Sequence, residues 1–463
     1  MAPSGAPVSD IDWDSFAKDL GSVQHSRQVR ILERRSQDFY WFSPILKETL
    51  AGVRGDIVVE PGSEAEVIHV VRTCVRHRAP LTVRGAGTGN YGQAMPLRGG
   101  VVLDTRRLTA VMEVADGVIR CQPGLKLIDA ERAALERGYE LRLFPSTKRT
   151  ATVGGFIAGG SSGIGAIQHG YLSDPGNVPS LRVVTMEPEP AVVALRGQDV
   201  GRVAHAYGTN GVITELELAL APAVTWVDVI VAFDGFEQAL RFAQALADDG
   251  GIVTKEIGVF VASIPPYFPN VDVPAGRDAC MLMVAEPSMQ ALGSLAESLA
   301  GEVCYTKRDP ESGRTRPLYE YTWNHTTLHA INADSSITYL QSLFPPDDGI
   351  APVLAMHKHF GDEVPMHVEL VRWQGRVAYA GLQLVRYTTR ERLYEIVRYH
   401  EEHGVTVFDP HTHVIEDGGM KVVDPQQLDF KRQVDPLGLM NPGKMRGWWE
   451  DQAVPGRDVA IFR

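Results

Sequence analysis

Glycine recurs at short intervals in two stretches of the chain, and this spacing suits the binding of an anion. The first stretch, residues 84–90, reads Arg-Gly-Ala-Gly-Thr-Gly-Asn and follows a short apolar run. The second, residues 152–165, reads Thr-Val-Gly-Gly-Phe-Ile-Ala-Gly-Gly-Ser-Ser-Gly-Ile-Gly. Because glycine has no Cβ, the backbone N–H groups of such loops approach an anion closely and form a concave binding surface. Two such loops suit a long, doubly anionic ligand such as a dinucleotide.

Neither stretch follows the common phosphate-binding patterns. A Rossmann fingerprint needs Gly-x-Gly-x-x-Gly at the start of a helix and an acidic residue about 20 positions later, and the chain has no such arrangement. A P-loop needs Gly-Lys followed by Ser or Thr, and neither stretch ends in this way. We therefore expect neither a Rossmann site nor a P-loop.

The composition is that of an ordinary globular protein, with 44% hydrophobic and 22% charged residues in a chain of 463. The length suits roughly two to three domains, or one large two-part enzyme. The formal net charge of −12 argues against a general nucleic-acid-binding protein, because phosphate recognition needs clustered Lys and Arg. A small anionic substrate stays compatible with this charge, since local charge can oppose net charge.

Cysteine usage and the first residues bear on the compartment. The four cysteines are far apart and form no Cys-x-x-Cys pair, so we expect neither a disulfide framework nor a cysteine zinc site. Residues 1–10 lack a basic segment followed by an apolar core, which argues against a signal peptide. No apolar run reaches the roughly 18 residues that a membrane span needs. We therefore expect a cytoplasmic enzyme without a transmembrane segment.

The elements that must position the glycine stretches are strands and helices up to Pro222, where we place a domain boundary. Ser63-Glu-Ala-Glu66 is a capping box that begins a helix with apolar residues at helical spacing. Residues 212–220 alternate like a half-buried strand. Further strands are expected at 55–61, 81–83, 100–104, 110–114, 117–121, 181–186 and 191–195, and helices at 125–137 and 197–206.

Residues 223–424 predict a second unit, an antiparallel sheet covered by helices. Strands are expected at 227–233, 279–285, 367–373 and 376–386, and helices at 236–247, 288–299, 318–329 and 390–403. Before the first unit, residues 38–44 form an aromatic turn, interpreted as a packed cap or as a border of the active site through Tyr40 or Trp41. The tail, residues 428–444, predicts a short helix followed by turns rich in Pro and Gly.

Four segments carry a stronger signal in their order and spacing than any one of them alone. They are residues 84–90 with 100–104, Ala-Thr-Val-Gly-Gly-Phe-Ile-Ala-Gly-Gly at 151–160 with Gly170 and Asp174, Gly-Thr-Asn-Gly-Val-Ile-Thr-Glu at 208–215, and Asp-Pro-Leu-Gly-Leu-Met-Asn-Pro-Gly-Lys at 435–444. Together they resemble the FAD-binding PCMH-type (vanillyl-alcohol oxidase) flavoprotein superfamily, in its glycolate-oxidase and D-lactate-dehydrogenase-like branch.

The resemblance implies an α+β fold in which a two-part PCMH-type FAD-binding domain is completed by the C-terminus. A substrate cap of antiparallel sheet plus helices would cover the flavin. We accordingly expect an N-terminal helical segment at 1–49, the FAD domain at 50–222, the cap at 223–424 and a returning C-terminal segment at 425–463. The FAD-binding residues that it implies are Arg84, Gly85, Ala86, Gly87, Thr88, Gly89, Asn90, Pro145, Ser146, Thr150, Gly154, Gly155, Gly159, Gly160, Ser162, Gly163, Gly211, Val212, Ile213, Asn441 and Lys444.

Two departures from the family pattern concern covalent flavin and metal. Many relatives attach FAD through a histidine in the first loop, where this chain has Thr88, so we expect non-covalent FAD. Several relatives bind a divalent metal through His-x-Gly-Asp-Gly-Asn and Glu-His-Gly motifs. Here residues 359–364 read His-Phe-Gly-Asp-Glu-Val, and the Glu-His-Gly at 402–404 ends a predicted helix. We therefore expect no metal site.

If FAD carries the redox chemistry, the protein must supply a base for the substrate hydroxyl and, for an acid, a cation for its carboxylate. His411 and His413 follow a strand and face the same side if extended; the alternatives are a pair of structural turn histidines and a pair of metal ligands. Arg386 ends a long strand, and either meets substrate or forms a cross-strand ion pair. His325 lies in an aromatic segment that either lines the substrate pocket or packs within the cap.

These residues predict an FAD-dependent oxidoreductase that oxidises a small hydroxy acid or alcohol by hydride transfer to flavin N5. The alternatives are a phenolic or aromatic alcohol oxidase and an electron-relay subunit of a larger dehydrogenase complex. Expected partners are a small-molecule substrate and an electron acceptor that is oxygen, a quinone or a protein. No nucleic-acid partner is expected, and a homodimer is left open.

Overall fold

The computed structural model describes residues 11–160, 162–313, 315–346, 349–419 and 423–451. Within them the chain forms an α+β fold with two smaller sheets before Pro222 and a large sheet after it. All elements are numbered in chain order. The helices of the first part are α1 (Trp13–Asp19), α2 (Val29–Arg35), α3 (Pro44–Thr49), α4 (Glu64–His77), α5 (Leu127–Leu135), α6 (Val153–Gly159) and α7 (Ala166–His169).

The first sheet has the strand order β1-β2-β4-β3 and presents the first glycine loop at its carboxyl edge. Its strands are β1 (His25–Ser26), β2 (Ile57–Val59), β3 (Leu81–Arg84) and β4 (Val101–Asp104). β2, β3 and β4 run parallel, and α4 packs its apolar face on them. α4 begins as the capping box predicts, because Ser63 Oγ accepts the N–H of Glu66.

The second sheet is antiparallel, with the order β5-β6-β10-β8-β9 and β7 paired to β10. Its strands are β5 (Val111–Ala115), β6 (Val118–Cys121), β7 (Tyr139–Leu141), β8 (Ser180–Val184), β9 (Val192–Arg196) and β10 (Val212–Pro222). The C-terminal segment returns to the first sheet, because the N–H of Leu81 donates to Leu439 O and the N–H of Asn441 donates to Leu81 O. This return agrees with an FAD domain completed by the C-terminus.

The large sheet has eight antiparallel strands in the order β14-β11-β13-β12-β17-β18-β16-β20. They are β11 (Trp226–Phe233), β12 (Thr254–Phe260), β13 (Asp278–Ala285), β14 (Glu302–Arg308), β16 (Ser342–Leu343), β17 (His367–Trp373), β18 (Arg376–Gly381) and β20 (Thr406–Val407). A separate pair joins β15 (Ile337–Tyr339) to β19 (Leu384–Arg386). The helices are α8 (Phe236–Asp248), α9 (Met289–Ser298), α10 (Asn324–Ala333), α11 (Ala351–Phe360), α12 (Arg390–Glu402), α13 (Ile415–Gly418), α14 (Pro425–Val434) and α15 (Arg446–Asp451).

Three predicted elements differ from those observed. The helix expected at 318–329 is a 3-10 turn at Leu318–Glu320 followed by α10, because Trp323 takes a φ of 50° that no helix continues through. The strand expected at 376–386 leaves the large sheet after Gly381 and resumes as β19 in the two-stranded pair. The helix expected at 197–206 is a 3-10 helix that ends at Arg202. The domain boundaries stay a proposal.

Candidate functional site: a cavity between the glycine loops and the cap sheet

A cavity of about 610 Å³ lies where the two glycine loops face the large sheet. One side is formed by backbone-rich loops of residues 85–90, 154–160 and 162–163, and the other by Gln341, Ser342 and Gly381 of the cap sheet region. Aromatic rings contribute much of the wall: Phe39, Phe42, Tyr91, Tyr171, Trp323, Trp373 and Phe408. A long ligand can therefore touch both glycine loops and still reach the cap.

The first glycine loop presents free hydrogen-bond donors. Within the described residues, the backbone N–H groups of residues 85–90 donate to no other protein group. Arg84 supports this loop from behind, since its guanidinium donates to Gly85 O and to Gln37 O. A run of unpaired N–H groups is a site for an anion, because the amides are ready to donate and no Cβ shields them.

The second glycine loop packs directly on the first. Thr152 caps α6, where its Oγ1 accepts the N–H of Gly155. A Cβ on Gly85 would collide with this Thr152 oxygen, and a Cβ on Gly154 would collide with Pro123. Gly160, at a φ of +71°, lies against the ring of His205. Glycine at these positions therefore allows both loops to border one cavity.

Several buried polar atoms along the cavity have no hydrogen-bond partner among the described residues. Ser162 Oγ, Asn324 Oδ1 and Gln341 Oε1 are all buried without a hydrogen bond, and all three residues line the cavity. Buried polar groups in native proteins are normally paired. These three atoms therefore indicate a polar ligand that completes them, and they suit a cofactor that spans both sides of the cavity.

Most of the residues expected to bind FAD line this cavity. They are Gly85, Ala86, Gly87, Thr88, Gly89, Asn90, Pro145, Ser146, Gly154, Gly155, Gly159, Gly160, Ser162, Gly163, Gly211 and Ile213. Whether each of them contacts FAD stays a proposal.

Five of the residues expected to bind FAD do not line the cavity: Arg84, Thr150, Val212, Asn441 and Lys444. Thr150 is exposed, and Val212 is buried in the core below α4. The side-chain amide of Asn441 donates to Gln93 O and Tyr207 O. Lys444 Nζ donates to Gly92 O. We therefore propose that Arg84, Asn441 and Lys444 support the loops rather than contact the cofactor.

His325 is the expected catalytic residue that lies in the cavity. It follows directly on Trp323 and Asn324, which also line the wall. Burial, together with the nearby His329, lowers the pKa of His325 to about 4. The ring is therefore neutral at pH 7 and can accept a proton.

His411 and His413 do not line the cavity. His411 is fully enclosed: its Nδ1 lies 2.8 Å from Ser43 Oγ and its Nε2 lies 3.1 Å from Tyr339 O. Because a carbonyl only accepts, Nε2 carries the proton and Nδ1 accepts from the Ser43 hydroxyl. Both ring nitrogens are thus engaged, and we correct the expectation that His411 is the base. Burial likewise lowers the pKa of His413 to about 3.

Arg386 is also outside the cavity. Its guanidinium donates to Asp362 O and lies 3.7 Å from a carboxylate oxygen of Asp334. Arg386 therefore forms an ion pair, which was the alternative to substrate binding. Its partner, Asp334, precedes β15 and is not on the neighbouring strand as expected. A direct role of Arg386 in substrate binding stays a prediction.

Several cavity residues were not found from the sequence. The aromatic turn contributes Asp38, Phe39 and Phe42 rather than Tyr40 or Trp41. The Asp38 carboxylate accepts the N–H of Tyr40 and of Ala94, and burial raises the pKa of Asp38. The aromatic turn was the one available signal. His205 is a further cavity residue, and nothing in the sequence distinguishes it.

The two segments compared above with metal-binding motifs, residues 359–364 and 402–404, lie outside the cavity. The His359 ring stacks on Tyr399 at 3.9 Å between ring centres, and Tyr399 stacks on His403 at 4.0 Å. His359 and Tyr399 border a groove between α11 and α12, away from the cavity. Within the described residues, no group of three His, Cys, Asp or Glu side chains is placed to hold a metal ion.

Comparison with known proteins identifies the class. Residues 55–189 match the family described as an FAD binding domain. The chain therefore carries a PCMH-type FAD-binding domain, and FAD is its cofactor. The free amides of the first loop and the three unpaired polar atoms fit such a cofactor. No helix in the described ranges is long and apolar enough to cross a membrane.

Particular relatives share part of the chain. It is 28% identical to the D-lactate dehydrogenase of Anaerostipes hadrus over 40% of this chain and 41% of that protein. It is 27% identical to the glycolate oxidase subunit GlcD of Bacillus subtilis (strain 168), over 42% of each. The D-2-hydroxyglutarate dehydrogenase of Bos taurus is 28% identical over 52% of this chain and 46% of that protein. The matched regions thus span less than half the length of these relatives.

A solved structure matches almost the whole chain. An alkyldihydroxyacetonephosphate synthase superposes with a TM-score of 0.69 at 15% identity, covering 93% of this chain and 85% of that one. At this identity the likeness shows the fold alone. That structure therefore shares the fold of the FAD-binding part and also that of the cap.

Proposed function

We propose that this protein is an FAD-dependent oxidoreductase that oxidises the CH–OH group of a small hydroxy acid or alcohol. The observation that carries the proposal is one continuous cavity that joins the free amides of residues 85–90 to His325 in the cap. The relatives named above support the hydroxy-acid class. We also propose a cytoplasmic location, with oxygen, a quinone or a protein as electron acceptor.

Bound FAD supplies the hydride acceptor, which we propose is flavin N5. The chain supplies the proton acceptor and the walls. His325 is neutral at pH 7 because its pKa is lowered to about 4, so it can take the hydroxyl proton as the C–H bond breaks. The unpaired Asn324 Oδ1 and Gln341 Oε1 can accept hydrogen bonds and orient a hydroxyl group.

A specific observation also favours aromatic alcohols or phenols. Rings of Phe42, Trp323, Trp373 and Phe408 line the cavity. No Lys or Arg among the described residues lines it, whereas a carboxylate substrate is usually held by a cation. Lys421 falls outside the described residues and lies in the sequence between the lining positions Gly419 and Asp424.

The test is anaerobic mixing of the FAD-loaded protein with a panel of 2-hydroxy acids, aliphatic alcohols and phenolic alcohols, with flavin absorbance as the readout. Bleaching by 2-hydroxy acids supports the hydroxy-acid class, and bleaching by phenolic alcohols supports the aromatic one. Bleaching that requires a second protein supports an electron-relay subunit. A flavin that no CH–OH compound reduces, alone or with such a partner, contradicts the proposal.

A further inference from the structure

Three acidic side chains are buried on one face of the large sheet, outside the cavity. They are Asp228 on β11, Glu256 on β12 and Glu369 on β17, with exposures of 0%, 4% and 1%. Met283 of β13 is opposite both Asp228 and Glu256, and Gly258 is opposite Glu369. Residues directly opposite each other, and residues two apart on a strand, share a face of the sheet. The three carboxyl groups therefore form a row on one face of four neighbouring strands, of which β11, β12 and β17 each contribute one.

All three carboxyl groups bind the same short segment, residues 318–323. Asp228 Oδ2 accepts the N–H of Leu318 at 2.7 Å. Glu256 Oε1 is hydrogen-bonded to the Thr322 hydroxyl. Glu369 Oε1 accepts the N–H of Trp323 at 3.0 Å. Burying a carboxyl group is costly unless it is hydrogen-bonded, so one row of costly groups placed under one segment indicates that the position of this segment matters.

The hydrogen bonds of Glu256 follow from its protonation. The pKa of Glu256 is raised well above its ordinary value, mainly by burial and secondly by the charge of the neighbouring Glu369. The raised pKa favours the protonated acid. The Thr322 hydroxyl has one proton, and Tyr319 O lies 3.1 Å from it. The Glu256 acid can therefore donate to Thr322 Oγ1, which donates to Tyr319 O. The acid hydroxyl of Glu256 and the hydroxyl of Thr322 then each donate one hydrogen bond.

The segment ends in a strained residue. Trp323 has a φ of 50° and a ψ of −139°, which is unfavourable for a bulky side chain. Such conformations persist only where surrounding contacts enforce them, and they cluster at functional sites. The Glu369 carboxylate, itself bonded to His367 Nε2 at 2.8 Å, supplies that contact at the Trp323 N–H. Trp323, Asn324 and His325 then project into the cavity wall.

We propose that Asp228, Glu256 and Glu369 are positioning residues that hold Trp323, Asn324 and His325 in place against the substrate. The catalytic part of this inference rests on the proposed function, because it needs His325 to be the base. The structural part does not: it states that these carboxyl groups restrain residues 318–325.

Two substitutions of Glu369 distinguish the effect of side-chain length from the effect of side-chain charge. Glu369→Asp keeps the charge and shortens the side chain by one methylene, so the carboxylate no longer reaches the Trp323 N–H. Glu369→Gln removes the charge and keeps an acceptor oxygen at the same reach. Glu256→Gln replaces the protonated acid with an amide that also donates to Thr322. Glu297→Asp, an exposed glutamate on α9, is the matched control for the shortened side chain.

The first readout is hydrogen–deuterium exchange of peptides covering residues 318–333 in the FAD-loaded protein. Glu369→Asp should accelerate exchange there at least about tenfold, and the two Gln variants should change it less than Glu369→Asp does. Exchange at wild-type rates in both Glu369→Asp and Asp228→Ala overturns the proposal, because each change removes an acceptor from the segment. Asp228→Ala keeps the proposal testable if Glu369→Asp does not fold. This readout needs no substrate, so it stands even if the proposed function fails.

The second readout is the limiting rate of flavin reduction by whichever substrate bleaches the wild type. We expect Glu369→Asp to lower this rate roughly 10- to 100-fold, as expected for a misplaced catalytic group, with FAD content and Tm close to those of Glu297→Asp. Glu369→Gln should recover most of the rate. Equal losses in Glu369→Asp and Glu369→Gln contradict positioning through hydrogen-bond reach.

Discussion

The hydroxyl oxygen of Thr152 occupies the space that a Cβ on Gly85 would need. The two glycine loops therefore touch at a point where a side chain of any size would separate them. Thr152 Oγ1 is at the same time the acceptor of the Gly155 N–H at the start of α6. Displacing it would disturb both loops, which is why this contact can be tested through cofactor affinity.

We expect Gly85→Ala to weaken FAD binding at least about tenfold, because the new methyl group displaces the Thr152 cap. Fluorescence titration of the apoprotein with FAD measures this affinity. Gly293→Ala is the control: nothing lies within 4 Å of its Cβ position, and in the interior of α9 it should stabilise the fold by about 0.5–1 kcal/mol without changing FAD affinity. Equal affinities of Gly85→Ala and wild type would contradict the loop contact.

His325→Gln should slow flavin reduction by roughly 10²–10⁴-fold if His325 is the base, with unchanged FAD content. Because the pKa of His325 is lowered to about 4, the wild-type ring is neutral at higher pH. Reduction should therefore decline only as the pH falls through about 4. Stopped-flow absorbance across the pH range measures both effects. His403→Gln changes an exposed histidine away from the cavity, so its flavin should be reduced at the wild-type rate. A wild-type rate in His325→Gln would exclude His325 as the base.

His411→Ala should lower the free energy of unfolding by about 1–3 kcal/mol, because the Ser43 hydroxyl loses the acceptor of its proton and the Tyr339 carbonyl loses the donor that the ring supplies. Urea unfolding measures this effect. We expect the rate of flavin reduction in folded His411→Ala to stay near the wild-type rate. A variant with wild-type stability and a greatly reduced rate would restore His411 as a catalytic candidate.

Stability should also depend on pH through the same residue. Burial lowers the pKa of His411 from 6.5 to about 3, so in the intervening range only the unfolded chain binds the proton. The stabilising contribution of the neutral ring is complete above about pH 6.5 and is lost as the pH falls toward 3. The free energy of unfolding should accordingly fall between pH 7 and pH 4.5, and less steeply in His411→Ala. A parallel decline in both proteins would contradict this assignment.

Acid precipitation of the holoprotein should release the yellow colour into the supernatant. The reason is that Thr88 in the first loop has no ring nitrogen with which to attach the flavin. Among the described cavity residues, His205 and His325 are the histidines, so His205→Ala and His325→Gln serve as comparisons. Colour that stays with the precipitated wild type and disappears in one of these variants would identify a covalent attachment.

Much of the cofactor side could be predicted from the sequence because its signals are local. The glycine spacing of residues 84–90 and the capping box at Ser63 depend on neighbouring residues, and both appear where they were expected. The break at Trp323 could not be predicted, because its positive φ is enforced by Glu369 from a strand far along the chain. The spacing of apolar residues around Trp323 does not depend on that contact and could not indicate it.

The catalytic candidates show the same limit. His325 and His411 are both histidines beside aromatic or polar neighbours, and the sequence favoured His411. Its ring is taken up by Ser43 and Tyr339, which are remote in sequence and meet only in the folded chain. The sequence by itself thus determined the glycine loops and most helices and strands, because short-range spacing encodes them, and its resemblance to a flavoprotein family implied the α+β fold and the FAD cofactor. Only the tertiary structure decided which histidine meets the cavity, because burial and hydrogen-bond partners come from distant segments.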